Sequence, residues 1–240
     1  MAKYKVLPIK SLSPYLDTKR IDKPKEIFKF SVSILEKLKL KKNINLVDIC
    51  CANGEFLFFL KKKFKHWNFS GIDICKEYID VASKHNGLKD IKFLNSNFMR
   101  SNKRWDIVFM HGSLQTQKDF KPWLNKLLNL TEDNGYILIT SYFNPYDVDM
   151  KIDFCDYSNK NTRNVWRSDY NFHSQYSVSK FLKNKCKHFK FIRVPMNVSL
   201  KRNKKQPQVN SWTFKNFEGK NILTNGMRLI LEDFLLLIKK

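Results

Sequence analysis

Four short stretches of the chain combine residue types that can hold a polar small ligand. The first is Asp48-Ile49-Cys50-Cys51-Ala52-Asn53-Gly54-Glu55-Phe56. An acid followed by small residues makes a permissive turn, and a ligand can lie there against backbone amides at the start of a helix. The second is Gly71-Ile72-Asp73-Ile74. A carboxylate about 20 positions beyond such a turn is placed to accept hydrogen bonds from a vicinal diol such as ribose. The third is Asn95-Ser96-Asn97-Phe98. The Asn97 amide can donate to and accept from a purine edge, and Phe98 can cover the face. The fourth is Met110-His111-Gly112-Ser113. His111 titrates near neutrality and is the best single candidate for general acid or base work.

Each stretch also has a plainer reading. Asp48 can cap a turn, Asp73 can cap the next helix, Asn97 can be a turn residue, and His111 can line a pocket without moving a proton. Cys50 and Cys51 read as small buried residues rather than nucleophiles, because nothing beside them in sequence lowers a thiol pKa.

These stretches must be held by elements, and the pattern supplies them. Ile44 to Ile49 is a short apolar run suited to a strand buried on both faces. Glu55 to Phe64 follows as a helix, Trp67 to Ile72 as a strand, and Lys76 to His85 as a helix with Tyr78, Ile79 and Ala82 inward. Ile91 to Leu94 and Trp105 to Met110 are further strands. Lys118 to Leu130 is a helix, Asp133-Asn134-Gly135 a turn, and Tyr136 to Thr140 a fifth strand. Such alternation with short links implies a parallel sheet covered by helices on both faces. All four candidate stretches then fall at strand ends, where ligands bind in open α/β sheets. Ahead of them, Asp22 as N-cap and Pro24 in the first turn fit the start of a helix.

After Thr140 the alternation stops. Residues 141–176 are polar and aromatic and read as a cap insertion, which in a compact domain is usually functional. One of Tyr142, Asp147, Asp149, His173 and Tyr176 there could be a base or an acceptor contact, and solvated loop polarity explains most of them. Ser177 to Asn184 reads as a helix, Phe189 to Val194 as a strand, the segments flanking Glu218-Gly219 as a hairpin, and Phe234 to Ile238 as the last strand. The expected organisation is one domain over 1–240: an N-terminal arm and helix (1–42), a core (43–140), the cap (141–176), and late strands with a hairpin (177–240).

Lys and Arg total 45 against 22 acids, a formal charge of +23. Taken alone this points to nucleic acid or an anionic surface. The lysines are nevertheless spread along the chain, and the bias toward Lys, Asn, Ile and Phe is that of AT-rich codons, so scattered solvation is favoured over a dedicated groove. Five cysteines without metal spacing suit reduced thiols in a cytoplasmic protein. No apolar run reaches the length of a membrane span.

From Val47 through Thr140 the chain resembles the core of class I S-adenosylmethionine-dependent methyltransferases. Asp48 matches the acid of the family's first motif. Cys50 and Ala52 stand where its first two glycines are usual, and Gly54 matches the third. Asp73 matches the ribose-binding acid, and Asn97 stands where Asp is usual near the adenine. Trp105-Asp106-Ile107-Val108 resembles the fourth strand, and Asn134 through Ile139 the turn into the fifth. The resemblance implies a doubly wound, mostly parallel seven-stranded sheet, the Rossmann-like methyltransferase fold, with the cap after the fifth strand. It implies S-adenosylmethionine as cofactor, held by Asp48, Cys50, Ala52, Asn53, Gly54, Asp73, Ile74, Asn97, Phe98 and His111, with no metal. Small side chains at Cys50 and Ala52 would obstruct a pyrophosphate more than a methionine end, which argues against a nicotinamide enzyme.

The expected activity is methyl transfer to a small molecule or glycan precursor, most plausibly on oxygen. The alternatives are a tRNA or rRNA methyltransferase, suggested by the charge, and a non-catalytic S-adenosylmethionine-binding protein, suggested by the missing glycines.

Overall fold

The computed structural model describes residues 16, 21–38, 40–158, 160, 163–202 and 210–240. Most of the expected N-terminal arm (residues 1–23) lies outside the described residues. Five helices matter here: α1 (Glu26–Leu35), α2 (Glu55–Lys63), α3 (Lys76–Lys84), α4 (Lys121–Leu130) and α5 (Gln175–Leu182). The main sheet holds β1 (Asn45–Ile49), β2 (Asn68–Asp73), β3 (Lys92–Asn95), β4 (Trp105–His111), β5 (Thr131–Ser141), β6 (His188–Arg193) and β7 (Phe234–Lys239).

The seven strands lie in the order β6-β7-β5-β4-β1-β2-β3. Only β7 runs against its neighbours, antiparallel to both β5 and β6. This is the mostly parallel, doubly wound sheet expected. The order reverses between β1 and β4, so a crevice opens beyond their carboxyl ends. Asp48, Cys50 and His111 stand there.

Both faces of the sheet are dry. Along β1, Leu46 falls on one face and Val47 on the other. Ile107 and Phe109 of β4 oppose Val108 and Met110 in the same way. α1, α2 and α3 cover the first face through Phe28, Phe56, Leu57, Leu60 and Ile79. α4 and α5 cover the second through Leu124, Leu127, Val178 and Leu182. Burial on both faces is why these strands read as continuous apolar runs rather than as alternating ones.

Local details depart from the sequence reading for identifiable reasons. Asp22 does not cap α1. Its carboxylate pairs with Lys62 Nζ at 2.8 Å, and the helix starts at Glu26 with no side-chain cap. α4 starts at Lys121 rather than Lys118, with Pro122 in its first turn and the Asp119 carboxylate accepting from the Lys121 amide at 3.0 Å. The expected turn at Asp133-Asn134-Gly135 lies inside β5 as an irregularity: Trp105 pairs with Thr131 but Ile107 with Tyr136. A side chain at Gly135 would meet the Asp106 carbonyl at 2.7 Å, so the loop-out needs glycine. α5 starts at Gln175, two residues earlier than expected, because Ser174 accepts from the Ser177 amide at 3.0 Å.

The cap is built from short pairings. Phe143–Asn144 lies parallel to His173–Ser174, and Phe154–Cys155 antiparallel to Trp166–Arg167. The expected hairpin forms a three-stranded sheet of Trp212–Lys215, Asn221–Thr224 and Ile230–Leu231. It packs on the cap through a small core of Phe172, Leu223 and Leu231 with Tyr142, Tyr170 and Met196 around it. Asn171, fully buried, pins the cap down: its Nδ2 donates to the Gln115 carbonyl at 2.8 Å and its Oδ1 accepts from the Ile152 amide at 3.1 Å. Among the described residues, no helix is long and apolar enough to cross a membrane.

Candidate active site

The turn after β1 has an unusual backbone. Cys50 has φ +59°, Ala52 +47° and Gly54 +79°. Alternate residues are thus left-handed, at the three positions where the resembling family has glycine. The left-handed region costs a residue with a Cβ about 1–2 kcal/mol, so Cys50 and Ala52 carry strain that glycine would not. Two contacts hold the turn in place. The Asp73 carboxylate accepts from the Ala52 amide at 2.9 Å and from the Cys75 amide at 2.9 Å. Cys51 is buried beside Gly71, where any side chain would come within 2.8 Å of its sulfur.

The turn forms one wall of a cavity of about 260 Å3. Asp48, Cys50, Cys51, Ala52 and Asn53 line that wall, His111, Gly112 and Thr140 line another, and Phe28 and Phe56 close a third. Gln115, Tyr142 and Asp233 line it as well. Three buried polar atoms of the lining have no hydrogen-bond partner within the protein: Asp48 Oδ1, Asn53 Nδ2 and His111 Nε2. A buried polar group left unmatched costs about 1–3 kcal/mol. A ligand that accepts from Asn53 and donates to Asp48 therefore gains on both.

Burial sets the protonation states here. It pushes Asp48 well above the usual carboxylate range, helped by the neighbouring Asp73 and opposed by Lys25. It raises Asp73 too, against the amides that bond it. The Cys50 thiol is pushed up to about 12 by burial and the nearby carboxylates, so it stays protonated. His111 is pulled down to about 3, first by burial and then by the charge of Lys25. Its Nδ1 lies 3.0 Å from Thr140 Oγ1 and its ring stacks on Phe109 and meets Phe56 edge-on. At neutral pH the imidazole is therefore neutral and a poor proton acceptor. Asp233 is raised to about 6 by burial alone.

Of the residues expected to contact cofactor, Asp48, Cys50, Ala52, Asn53 and His111 share the cavity, with Gly54 capping α2 behind them. Asp73 reaches it through the Ala52 amide. Ile74, Asn97 and Phe98 do not line it. Ile74 and Asn97 are exposed, the Asn97 side-chain Oδ1 accepting from the Met99 amide at 3.0 Å. Phe98 is buried edge-on against Trp123 and is a core residue. Among the five cap candidates, Tyr142 alone lines the cavity. Asp149 binds the Ser174 amide and the Ser177 hydroxyl at the start of α5, His173 packs against Phe120, and Asp147 and Tyr176 face solvent. Sequence reasoning missed Lys25, Phe28, Gln115, Thr140 and Asp233. Their signal is weak because they come from segments far apart that meet only in the folded sheet.

A model of a methyltransferase domain family matches residues 40–210, more than half of the chain. The chain belongs to this methyltransferase family. The donor in such S-adenosylmethionine-dependent enzymes fits the wall just described, with its acid, its left-handed turn and its unmatched polar atoms. The methyltransferase is 24% identical over 110 residues to (S)-coclaurine N-methyltransferase of Papaver somniferum. It is 33% identical over 97 residues to a tRNA (guanine-N(7)-)-methyltransferase of Prochlorococcus marinus. These stretches cover 44% and 40% of the chain but only 31% and 35% of those relatives' own lengths. In fold it is similar to Burkholderia thailandensis 1,6-didemethyltoxoflavin-N1-methyltransferase, solved with S-adenosylhomocysteine (TM-score 0.56, 13% identity, 97% of this chain and 86% of that one).

Proposed function

We propose that this methyltransferase moves the methyl group of S-adenosylmethionine to a small-molecule acceptor that sits under the cap. The observation that carries this reading is the joining of two sets of residues in one cavity. The motif turn supplies Asp48 to Asn53, and the cap side supplies Gln115, Tyr142 and Asp233. A cavity of about 260 Å3 suits a small acceptor group beside one end of a cofactor.

S-adenosylmethionine, when bound, supplies an electrophilic methyl group on a sulfonium. The protein's own residues do the rest. Asp48 and Asn53 match the ammonium and carboxylate of its amino-acid end. Asp73 fixes the turn and offers its carboxylate to the ribose. Ile74 and Asn97, exposed at neighbouring strand ends, flank the course an adenine would take. Phe28 and Phe56 keep water from the reacting atoms, which favours attack by a held acceptor. His111 offers a neutral ring nitrogen as a hydrogen-bond partner and serves as a wall rather than a base.

The oxygen acceptor expected from the sequence would need a base, and His111 is unsuited to that task. The RNA reading draws on the +23 charge and on the tRNA methyltransferase match. The lining speaks against it, since it contains three carboxylates and one lysine.

Calorimetry with S-adenosylhomocysteine tests the cofactor half. Saturable one-to-one binding is expected, and its absence would leave a methyltransferase fold without the activity. RNA binding that weakens steeply with salt would favour the nucleic-acid reading over the small-molecule one.

A further inference from the structure

The cavity is acidic in a protein that is strongly basic. Its charged lining is Lys25, Asp48, Glu55 and Asp233, set in a chain of formal charge +23. Lys25 is already paired with Glu55 at 3.0 Å. Asp48 lies near the carboxyl end of β1 and is matched to the cofactor's end of the cavity. Asp233 remains. It precedes β7, comes from the side of the cap, and has no hydrogen bond or ion pair to its carboxylate among the described residues. Its main chain is fixed, because the Asp233 carbonyl accepts from the Val194 amide at 2.8 Å. The carboxylate therefore lines the cavity from an anchored stretch of backbone without being used by the fold.

An aromatic wall stands in the same cavity. The Tyr142 ring is held by stacks with Phe172 at 5.6 Å and Tyr170 at 6.1 Å between centroids. A partly buried carboxylate and an aromatic ring in one cavity make the usual pairing for an organic cation.

We propose that Asp233 is the acceptor-recognition residue of this site, and that the acceptor is a small amine arriving as its ammonium ion. This rests on the methyltransferase reading above. The carboxylate orients the nitrogen by a charge-assisted hydrogen bond. Before attack, one N–H proton moves to the carboxylate and frees the nitrogen lone pair. The lone pair then forms the N–C bond as the methyl carbon's bond to sulfur breaks, and that bond's electrons stay on sulfur. The proton leaves from Asp233 to solvent. Burial, which raises the proton affinity of Asp233, suits it to this brief role.

The test uses benzylamine and benzyl alcohol as matched probes, titrated at neutral pH into the protein saturated with S-adenosylhomocysteine. Benzylamine is expected to bind about tenfold more tightly than the alcohol, the ratio that one charge-assisted hydrogen bond supplies. Asp233→Asn should remove that preference while leaving S-adenosylhomocysteine affinity unchanged. Equal binding of the two probes, no binding of either, or a preference that survives in Asp233→Asn would overturn the proposal. Loss of S-adenosylhomocysteine binding in the variant would overturn it too, by placing Asp233 in the cofactor's site. If the parent protein fails to bind S-adenosylhomocysteine, it is the methyltransferase reading that fails.

Discussion

Replacing Ala52 by glycine is expected to stabilise the protein. Ala52 sits at φ +47°, and its bonds in the turn, from its amide to Asp73 and from the Cys51 thiol to its carbonyl, use main-chain atoms that glycine keeps. Removing the Cβ returns about 1–2 kcal/mol of left-handed strain. The greater freedom of glycine in the unfolded chain takes back about 0.4–1 kcal/mol. The net gain is about 0.8 kcal/mol, or about 2–3 °C in Tm for a chain of this size. Two variants sharpen the test. Ala52→Val should lose more than about 2 kcal/mol, because a β-branched residue is a true outlier at this backbone angle. Cys50→Gly should come out near zero, since relief of strain is offset by lost packing of the sulfur against the core beside it. Urea titrations followed by circular dichroism give all three values. If Ala52→Gly lowered the midpoint, or if Ala52→Val left it unchanged, the assignment of strain to this turn would be wrong.

Asp73→Ala is expected to weaken S-adenosylhomocysteine binding by at least about tenfold, because it removes the proposed ribose acceptor and frees the Ala52 amide; unchanged affinity by calorimetry would contradict this. His111 gives a pH signature. Its pKa is depressed in the folded state, so its contribution is fully present above the unfolded value of 6.5 and is lost as pH falls toward about 3. At pH 5 the unfolded chain gains about 2 kcal/mol from this group, and His111→Phe should flatten that part of the stability profile; an unchanged slope between pH 7 and 5 would refute the assignment. Asn171→Ala should cost about 2–4 kcal/mol through two lost buried partners. Limited proteolysis should then cut first between residues 145 and 170, and an unchanged cleavage pattern would show that Asn171 does not pin the cap.

Much of this site could be read in the residues themselves. The spacing of Asp48, Gly54 and Asp73 marks two strand ends, and burial on both faces explains why β1, β2, β4 and the second half of β5 stand out as apolar runs. Cys50 and Ala52 were visible as small residues in place of glycine. Their left-handed angles were not, because only the fold forces that geometry. Phe98 and His173 have residue types suited to binding, yet packing against Trp123 and Phe120 claims them for the core. Asp149, one of the cap candidates, binds the Ser174 amide and the Ser177 hydroxyl at the start of α5, and nothing near it in sequence shows that these serines will face it. Asp233 could not have been found by spacing. Its place follows from β7 folding back between two earlier strands, which is a fact of topology.

That insertion of β7 also bears on how the chain folds. Phe234 pairs with Ser141 and Lys239 with Tyr136, so the seam closes between segments far apart in sequence. Such long-range pairing is slow to form. Until it does, one edge of β5 is open along Ile137, Leu138 and Ile139, residues that are fully buried in the finished sheet. An apolar strand with a bare edge recruits other chains. Refolding at high concentration should therefore lose material to aggregation in proportion to the time before β7 docks. A variant that slows this docking would lower soluble yield even if the finished protein were as stable as the parent.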